Sequence, residues 1–156
     1  MDYVTVYPSP IGVLYLRSNG SAITGLSPEP GGTPKDDLPV FQTARQWLDD
    51  YFQGRKPEPA DLPLSPEGTP FQQSVWAQLL AIPHGQFQTY GHVAHAIGRP
   101  GACQAVGQAV GRNPIAIIIP CHRVLGSGAT LTGYAWGLSK KKWLLRHEGV
   151  DFIDHP

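Results

Sequence analysis

At 156 residues the chain suits one domain or two small lobes, and a 41% hydrophobic content is enough to bury a working core. No stretch approaches the roughly 18 consecutive apolar residues of a membrane span, and the N-terminus lacks the basic-then-apolar pattern of a signal peptide, so a cytoplasmic (bacterial cytoplasm or nucleoid) location is expected. The net charge of zero hides an asymmetry: residues 1–83 carry five Lys and Arg against nine Asp and Glu, while residues 84–149 carry seven against Glu148 alone. A basic C-terminal half beside an acidic N-terminal one fits a one-sided polyanion binder; a chance segregation of solvated charges is the bland alternative.

The first third reads as a small β-rich lobe. Residues 3–7 and 13–17 are β-branched and aromatic runs, and Ser18-Asn19-Gly20-Ser21 supplies turn chemistry before a third strand at 22–26. From 40 to 52, Phe41, Ala44, Leu48 and Tyr51 recur at helical spacing, with Trp47 and Phe52 alongside, which predicts a helix packed on the sheet. Prolines 57, 59, 63 and 66 exclude helix and central strand, so a linker ends the first domain at residue 67 and the second spans 68–156.

Thr69-Pro70-Phe71-Gln72 predicts a helix start with a capping box, and Phe71, Val75 and Leu79 form one face of that helix. Residues 89–97 and 102–111 predict two more short helices joined by a Gly-containing turn, a helix-turn-helix candidate. The second of these is built almost wholly of small residues around Gly107. Such smallness lets a backbone approach a ligand closely, or serves tight helix packing; the residues alone leave both open.

Residues 115–119 form a continuous aliphatic run between Pro114 and Pro120 and predict a short buried strand delivering Cys121 to its end. Ser139 is the expected cap of a last helix over 140–148, closed by Gly149. Three lysines in its first turn oppose the helix dipole, a cost that makes sense where they meet phosphates.

Cys103 and Cys121 are too few for a disulfide framework and lack zinc-site spacing. A thiol is only a few per cent ionised at neutral pH, so its reactivity must come from neighbours. Pro120-Cys121-His122-Arg123 sets a thiol beside an imidazole, but in an extended chain the two side chains point to opposite faces, and a bridging water or a local turn is needed to pass a proton. By itself the dipeptide has both a structural and a catalytic reading. Cys103 reads as a small packing residue, and His92 and His95, without further ligands, as surface residues.

These residues resemble a known family. Pro120-Cys121-His122-Arg123, the Gly-x-Pro-Phe of residues 68–71, Arg112-Asn113-Pro114, Gly133-Tyr134, and Trp143-Leu144-Leu145-Arg146-His147-Glu148-Gly149 together look like the O6-alkylguanine-DNA alkyltransferases, in order and spacing, from residue 68 to 149. The resemblance implies an α+β fold: a small N-terminal sheet-plus-helix lobe, ribonuclease H-like, and a mainly helical C-terminal lobe with a helix-turn-helix, winged-helix-like. It implies single-turnover transfer of an alkyl group from guanine O6 in double-stranded DNA to Cys121, after the nucleotide is flipped out through the minor groove, by a monomer without cofactor or metal. Cys121 would be a nucleophile open to the extruded purine, His122 its base through a water, Glu148 the group that orients the imidazole, and Asn113 a brace for the turn. Tyr90, Ala102, Gln104, Ala105, Gly107, Arg112 and Arg123 would meet DNA. Val110, Val124, Tyr134, Ala135 and Trp136 would line the pocket, with main-chain carbonyls near Cys121 and Val124 reading the base edge.

The sequence departs from that pattern at three places. Gln104 stands where an arginine usually fills the gap left by the flipped base, which implies weaker or slower repair of duplex. Trp136 stands where many relatives have glycine, which implies a narrower pocket favouring methyl. No cysteine precedes Cys103, so the N-terminal zinc site of vertebrate members is not expected. Two rival readings are a non-enzymatic alkyltransferase-like lesion binder, whose relatives replace the cysteine, and a Cys–His hydrolase, which leaves the helix-turn-helix unexplained.

Overall fold

The computed structural model describes residues 2–154 and divides into two compact units, Met1–Glu67 with Pro114–Ala116, and Gly68–Asn113 with Ile117–Pro156. In the first unit, β1 (Tyr3–Ser9) and β2 (Gly12–Ser18) form an antiparallel hairpin across Pro10-Ile11, with Gly12 at φ 112° in a region open chiefly to glycine. The short strands β3 (Ile23–Ser27) and β4 (Thr33–Pro34) complete a sheet of order β3-β2-β1-β4, with β4 parallel to β1. Strand periodicity turns Leu14 and Leu16 of β2 to one face. Helix α1 (Pro39–Phe52) packs Val40, Phe41, Ala44, Trp47, Leu48 and Tyr51 into the core, the stripe its spacing predicts.

The proline-rich segment after α1 does more than link. Its Leu64 bridges Ile23 in parallel, with Ile23 N–H donating to the Pro63 carbonyl at 2.8 Å, and Trp47 Nε1 donating to the Glu58 carbonyl at 2.9 Å. Further along the same strand, Leu26 N–H donates to the Pro114 carbonyl at 2.9 Å and Leu26 bridges Ile115. The edge of β3 is therefore satisfied by two irregular segments, one of them from far along the chain. The two units part between residues 67 and 68, but Pro114–Ala116 group with the first unit rather than with the residues on either side of them.

The second unit opens with α2 (Pro70–Leu80), where Thr69 and Gln72 form the reciprocal capping box and Val75, Trp76 and Leu79 are buried. Phe71 stays half-buried, with the Arg99 guanidinium 6.0 Å over its ring. Helices α3 (Tyr90–Ala96), capped by Thr89, and α4 (Cys103–Gly111) pack with α2 around Val93, Ala94, Val106, Ala109 and Val110. Trp76 Nε1 donates to the Ala109 carbonyl at 2.8 Å, which also accepts from the Arg112 N–H at 3.2 Å, so the last turn of α4 is tied to α2.

Two expectations fail here. Residues 115–119 are buried, but they turn rather than extend: only Ile115 makes a strand bridge, and Ile117 adopts φ 72°, uncommon for a β-branched residue. An apolar run signals burial and not conformation, and the two flanking prolines left the choice open. The last helix, α5 (Leu138–Glu148), begins two residues early on Gly137, and Ser139 makes no capping bond; Gly149 ends it in the left-handed region as expected.

Candidate active site

After the buried turn, Pro120 leads into a single turn of 3₁₀ helix, Cys121–Arg123. Cys121 N–H donates to the Ile119 carbonyl at 2.8 Å, Arg123 N–H to the Pro120 carbonyl at 3.0 Å, and the Asn113 side-chain amide to the Ile119 carbonyl at 2.7 Å. Asn113 thus holds the backbone two residues before the cysteine. Because Cys121 and His122 share a tight turn, the extended-strand argument that set them on opposite faces does not apply. Immediately after the turn, the two-residue strand β6 (Val124–Leu125) pairs in parallel with β5 (Gln88–Thr89), and this ladder brings Tyr90, the next residue, to the neighbourhood of Cys121.

Cys121 is 6% exposed, so the open thiol of the sequence reading is corrected to a sheltered one. Burial pushes its pKa up, against hydrogen bonds from the side chains of Asn113 and Tyr134, the charge of Lys141 and its own backbone N–H. Sγ lies 3.9 Å from the Tyr134 hydroxyl. A thiol held neutral by its surroundings reacts only when a base takes the proton as the bond forms.

His122 and Glu148 supply such a base. Both side chains are fully buried, and Nε2 meets Glu148 Oε2 at 2.5 Å. Burial pushes the imidazole pKa down more than the carboxylate lifts it, so the ring is neutral at physiological pH, with Nε2–H donating. Nδ1, buried and without a protein hydrogen-bond partner among the described residues, is then a proton acceptor. Burial alone would raise the Glu148 pKa; the contacts to His122 and to Arg123 outweigh it and hold the carboxyl well below the usual carboxylate range.

Arg123 was expected at DNA and is instead buried. Its Nε donates to Glu148 Oε1 at 2.7 Å and its Nη1 to the Ile82 carbonyl at 2.6 Å. Of the three lysines expected to meet phosphates, Lys141 is likewise turned inward, 1% exposed. A periodic signal for this was present: Lys141, Leu144, Leu145 and Glu148 lie on the one buried stripe of α5.

The other expected site residues fall into two groups. Gln104, Ala105 and Arg112 are exposed on or just after α4, together with Gln108 and with Cys103, which is therefore not the packing residue expected; Ala102, Gly107 and Tyr90 are half-buried. Tyr90, Cys103, Gln104, Gly107 and Gln108 line one shallow depression. A Cβ on Gly107 would stand 3.8 Å from the Tyr90 ring, an ordinary contact, so packing within the unit does not demand a glycine there. Of the residues expected to line the pocket, Tyr134 and Trp136 are half-buried with rings 6.0 Å apart edge to face, Ala135 is exposed, and the side chains of Val110 and Val124 are sealed in the core. Among the described residues no cluster of three or more His, Cys, Asp or Glu side chains could hold a metal ion, and no helix is long and apolar enough to cross a membrane.

Residues 70–150 match the 6-O-methylguanine DNA methyltransferase, DNA binding domain, and residues 3–66 the ribonuclease-like domain of the same proteins. The chain belongs to the 6-O-methylguanine DNA methyltransferase family. It is 46% identical to a methylated-DNA--protein-cysteine methyltransferase of Haemophilus influenzae, over 97% of this chain and 89% of that one. Its fold matches the crystal structure of Mycobacterium tuberculosis O6-methylguanine methyltransferase with a TM-score of 0.87 at 43% identity, covering 96% and 93% of the two chains. A structure of Mycobacterium tuberculosis OGT in complex with DNA matches with a TM-score of 0.86 at 45% identity, covering 94% and 92%. Membership accounts for the α+β architecture and for the pairing of a helix-turn-helix with a thiol turn in one unit.

Proposed function

We propose that this chain repairs DNA by moving an alkyl group, methyl by preference, from O6 of guanine to Sγ of Cys121, once per molecule. The observation that carries the reading is the thiol on a tight turn followed by a fully buried imidazole–carboxylate pair whose second ring nitrogen is an unpaired acceptor. It is supported by relatives named methylated-DNA--protein-cysteine methyltransferases.

DNA binds through the outward face of α4, where Gln104, Ala105 and Gln108 leave a low relief and Gly107 has no internal need to be small. That relief suits close approach to a groove, and Arg112 adds a cation at the end of the helix. A stacked guanine does not offer its O6 substituent to a sheltered thiol, so the nucleotide is rotated out of the helix, with Tyr90 at the entrance and Gln104 filling the vacated space. Tyr134 and Trp136 flank the extruded base.

A water between Sγ and His122 Nδ1 passes the thiol proton to the imidazole, and Glu148 stabilises the resulting imidazolium. The sulfur lone pair forms the new S–C bond on the alkyl carbon as the C–O6 bond breaks, and its electrons leave on the guanine, which then takes a proton. The thioether is a poor leaving group toward water, so Cys121 is consumed and neither cofactor nor metal is needed.

Intact-protein mass spectrometry after incubation with an O6-methylguanine oligonucleotide tests this. A stoichiometric gain of one methylene, mapped to Cys121 and lost in Cys121→Ser, is expected. Tight binding at unchanged mass indicates a lesion binder, and cleavage of an ester or amide a hydrolase; either result overturns the proposal.

A further inference from the structure

Lys141 stands out as a lysine buried to 1% exposure on a helix whose neighbouring lysines are not. Its Nζ donates to the Val124 carbonyl at 2.9 Å, to Thr132 Oγ1 at 3.0 Å and to the Gly133 carbonyl at 3.4 Å. Three acceptors use the three ammonium protons, so the side chain is committed in its charged form. Those acceptors belong to the two segments that border the thiol. Val124 follows the Cys121 turn directly, and Thr132 and Gly133 lead into Tyr134, whose hydroxyl faces Sγ. Thr132 Oγ1 is also hydrogen-bonded to the Tyr90 hydroxyl at 2.8 Å, which extends the chain of contacts from α5 to the first residue of α3.

We propose that Lys141 is a positioning residue for the chemistry of Cys121: its buried ammonium cross-links the turn bearing the thiol to the loop bearing Tyr134, sets the Tyr90 phenol through Thr132, and places a positive charge where it favours the thiolate.

The charge balance around Sγ supports this. Tyr134 faces Cys121 from the loop, Tyr90 from α3, Asn113 from the turn after α4 and Lys141 from α5, while His122 and Arg123 lie along the same 3₁₀ turn and their partner Glu148 ends α5. Asn113 carries no charge, burial pushes the Tyr90 phenol pKa up, and the positive charge of Arg123 is paired with Glu148. Lys141 is the group in this set whose charge opposes the effect of burial on the thiol. Burial pulls its own pKa down to about 8, partly offset by Cys121, so lysine and thiol are linked titrations. Linkage is reciprocal: what the ammonium does for the thiolate, the thiolate does for the ammonium.

The inference rests on Cys121 being the alkyl acceptor, and its test avoids DNA so that the two can fail separately. The rate of Cys121 alkylation by iodoacetamide is measured against pH, by mass spectrometry, for the wild type, Lys141→Gln and Lys141→Met. The glutamine retains a donor without the charge; the methionine retains neither. Both are expected to move the midpoint of the profile upward by about one pH unit, with a roughly tenfold loss of rate at pH 7. Thr132→Val is expected to leave that midpoint near the wild-type value while slowing methyl transfer from DNA, because it frees Tyr90 without removing the charge. An unchanged midpoint in both folded Lys141 variants overturns the proposal. If neither variant folds, the titration of Lys141 followed by NMR at its Cε decides: its midpoint is expected to fall in Cys121→Ala, and an identical midpoint with and without the sulfur overturns the idea. A wild type that reacts with iodoacetamide in the expected way but takes no methyl from DNA leaves the coupling standing and removes the repair function.

Discussion

Glu148 answers two buried partners at once, His122 at 2.5 Å and Arg123 at 2.7 Å, so that one carboxylate both orients the imidazole and neutralises a guanidinium that is largely withdrawn from solvent. Removing the negative charge leaves Arg123 buried and unpaired. Glu148→Gln is therefore expected to cost about 3–5 kcal/mol of stability in urea denaturation, and Arg123→Met on that background to recover much of it. Additive losses in the double variant would count against a buried pair.

The same two residues set the response to acid. Both His122 and Glu148 have pKa values depressed by folding, so the unfolded chain takes up their protons more readily and stability falls as pH falls. The loss begins as pH drops through the ordinary histidine value of 6.5 and steepens below the ordinary glutamate value of 4.5. Urea midpoints measured between neutral pH and pH 4 are expected to decline throughout, with a shallower acid limb in Glu148→Gln.

Gly68 is small for a reason of packing. A Cβ there would lie 2.4 Å from the Trp76 ring, and Trp76 is held in place by the core and by its bond to the Ala109 carbonyl. Gly68→Ala is expected to destabilise the second unit by about 1–3 kcal/mol, read by thermal or urea unfolding. Gly107→Ala, inside α4 and with only ordinary contacts to meet, is expected to stabilise by up to about 1 kcal/mol in the same assay and to weaken DNA binding.

Gln104 is exposed near the start of α4 and carries no charge. Gln104→Arg is expected to bind duplex more tightly and to raise the transfer rate on an O6-methylguanine duplex, with little change on the free base. Unaltered affinity and rate in a fluorescence-anisotropy and single-turnover comparison would remove Gln104 from the DNA interface.

Trp136 packs edge-on against Tyr134 beside the thiol. Trp136→Gly is expected to speed labelling of Cys121 by an O6-benzylguanine probe while changing methyl transfer less, because the indole narrows the space for a bulky group. Equal labelling of wild type and variant would place the indole outside the pocket.

What could be read from the chain alone were features with local causes. The capping box at Thr69–Gln72, the stripe of α1, the stop at Gly149, and the thiol, imidazole and carboxylate motifs all depend on residues within a few positions of each other or on motif order. Three features were decided only in three dimensions: the turn at residues 115–119, the attachment of Pro114–Ala116 to the first unit, and the inward course of Arg123 and Lys141. Each depends on partners distant in the sequence: the unpaired edge of β3, the Glu148 carboxylate 25 residues beyond Arg123, and the carbonyls and hydroxyl that receive the lysine ammonium. A charge is sent to the surface by default because burial costs so much, and only a folded chain that supplies counter-charge and acceptors at hydrogen-bond distance reverses that preference.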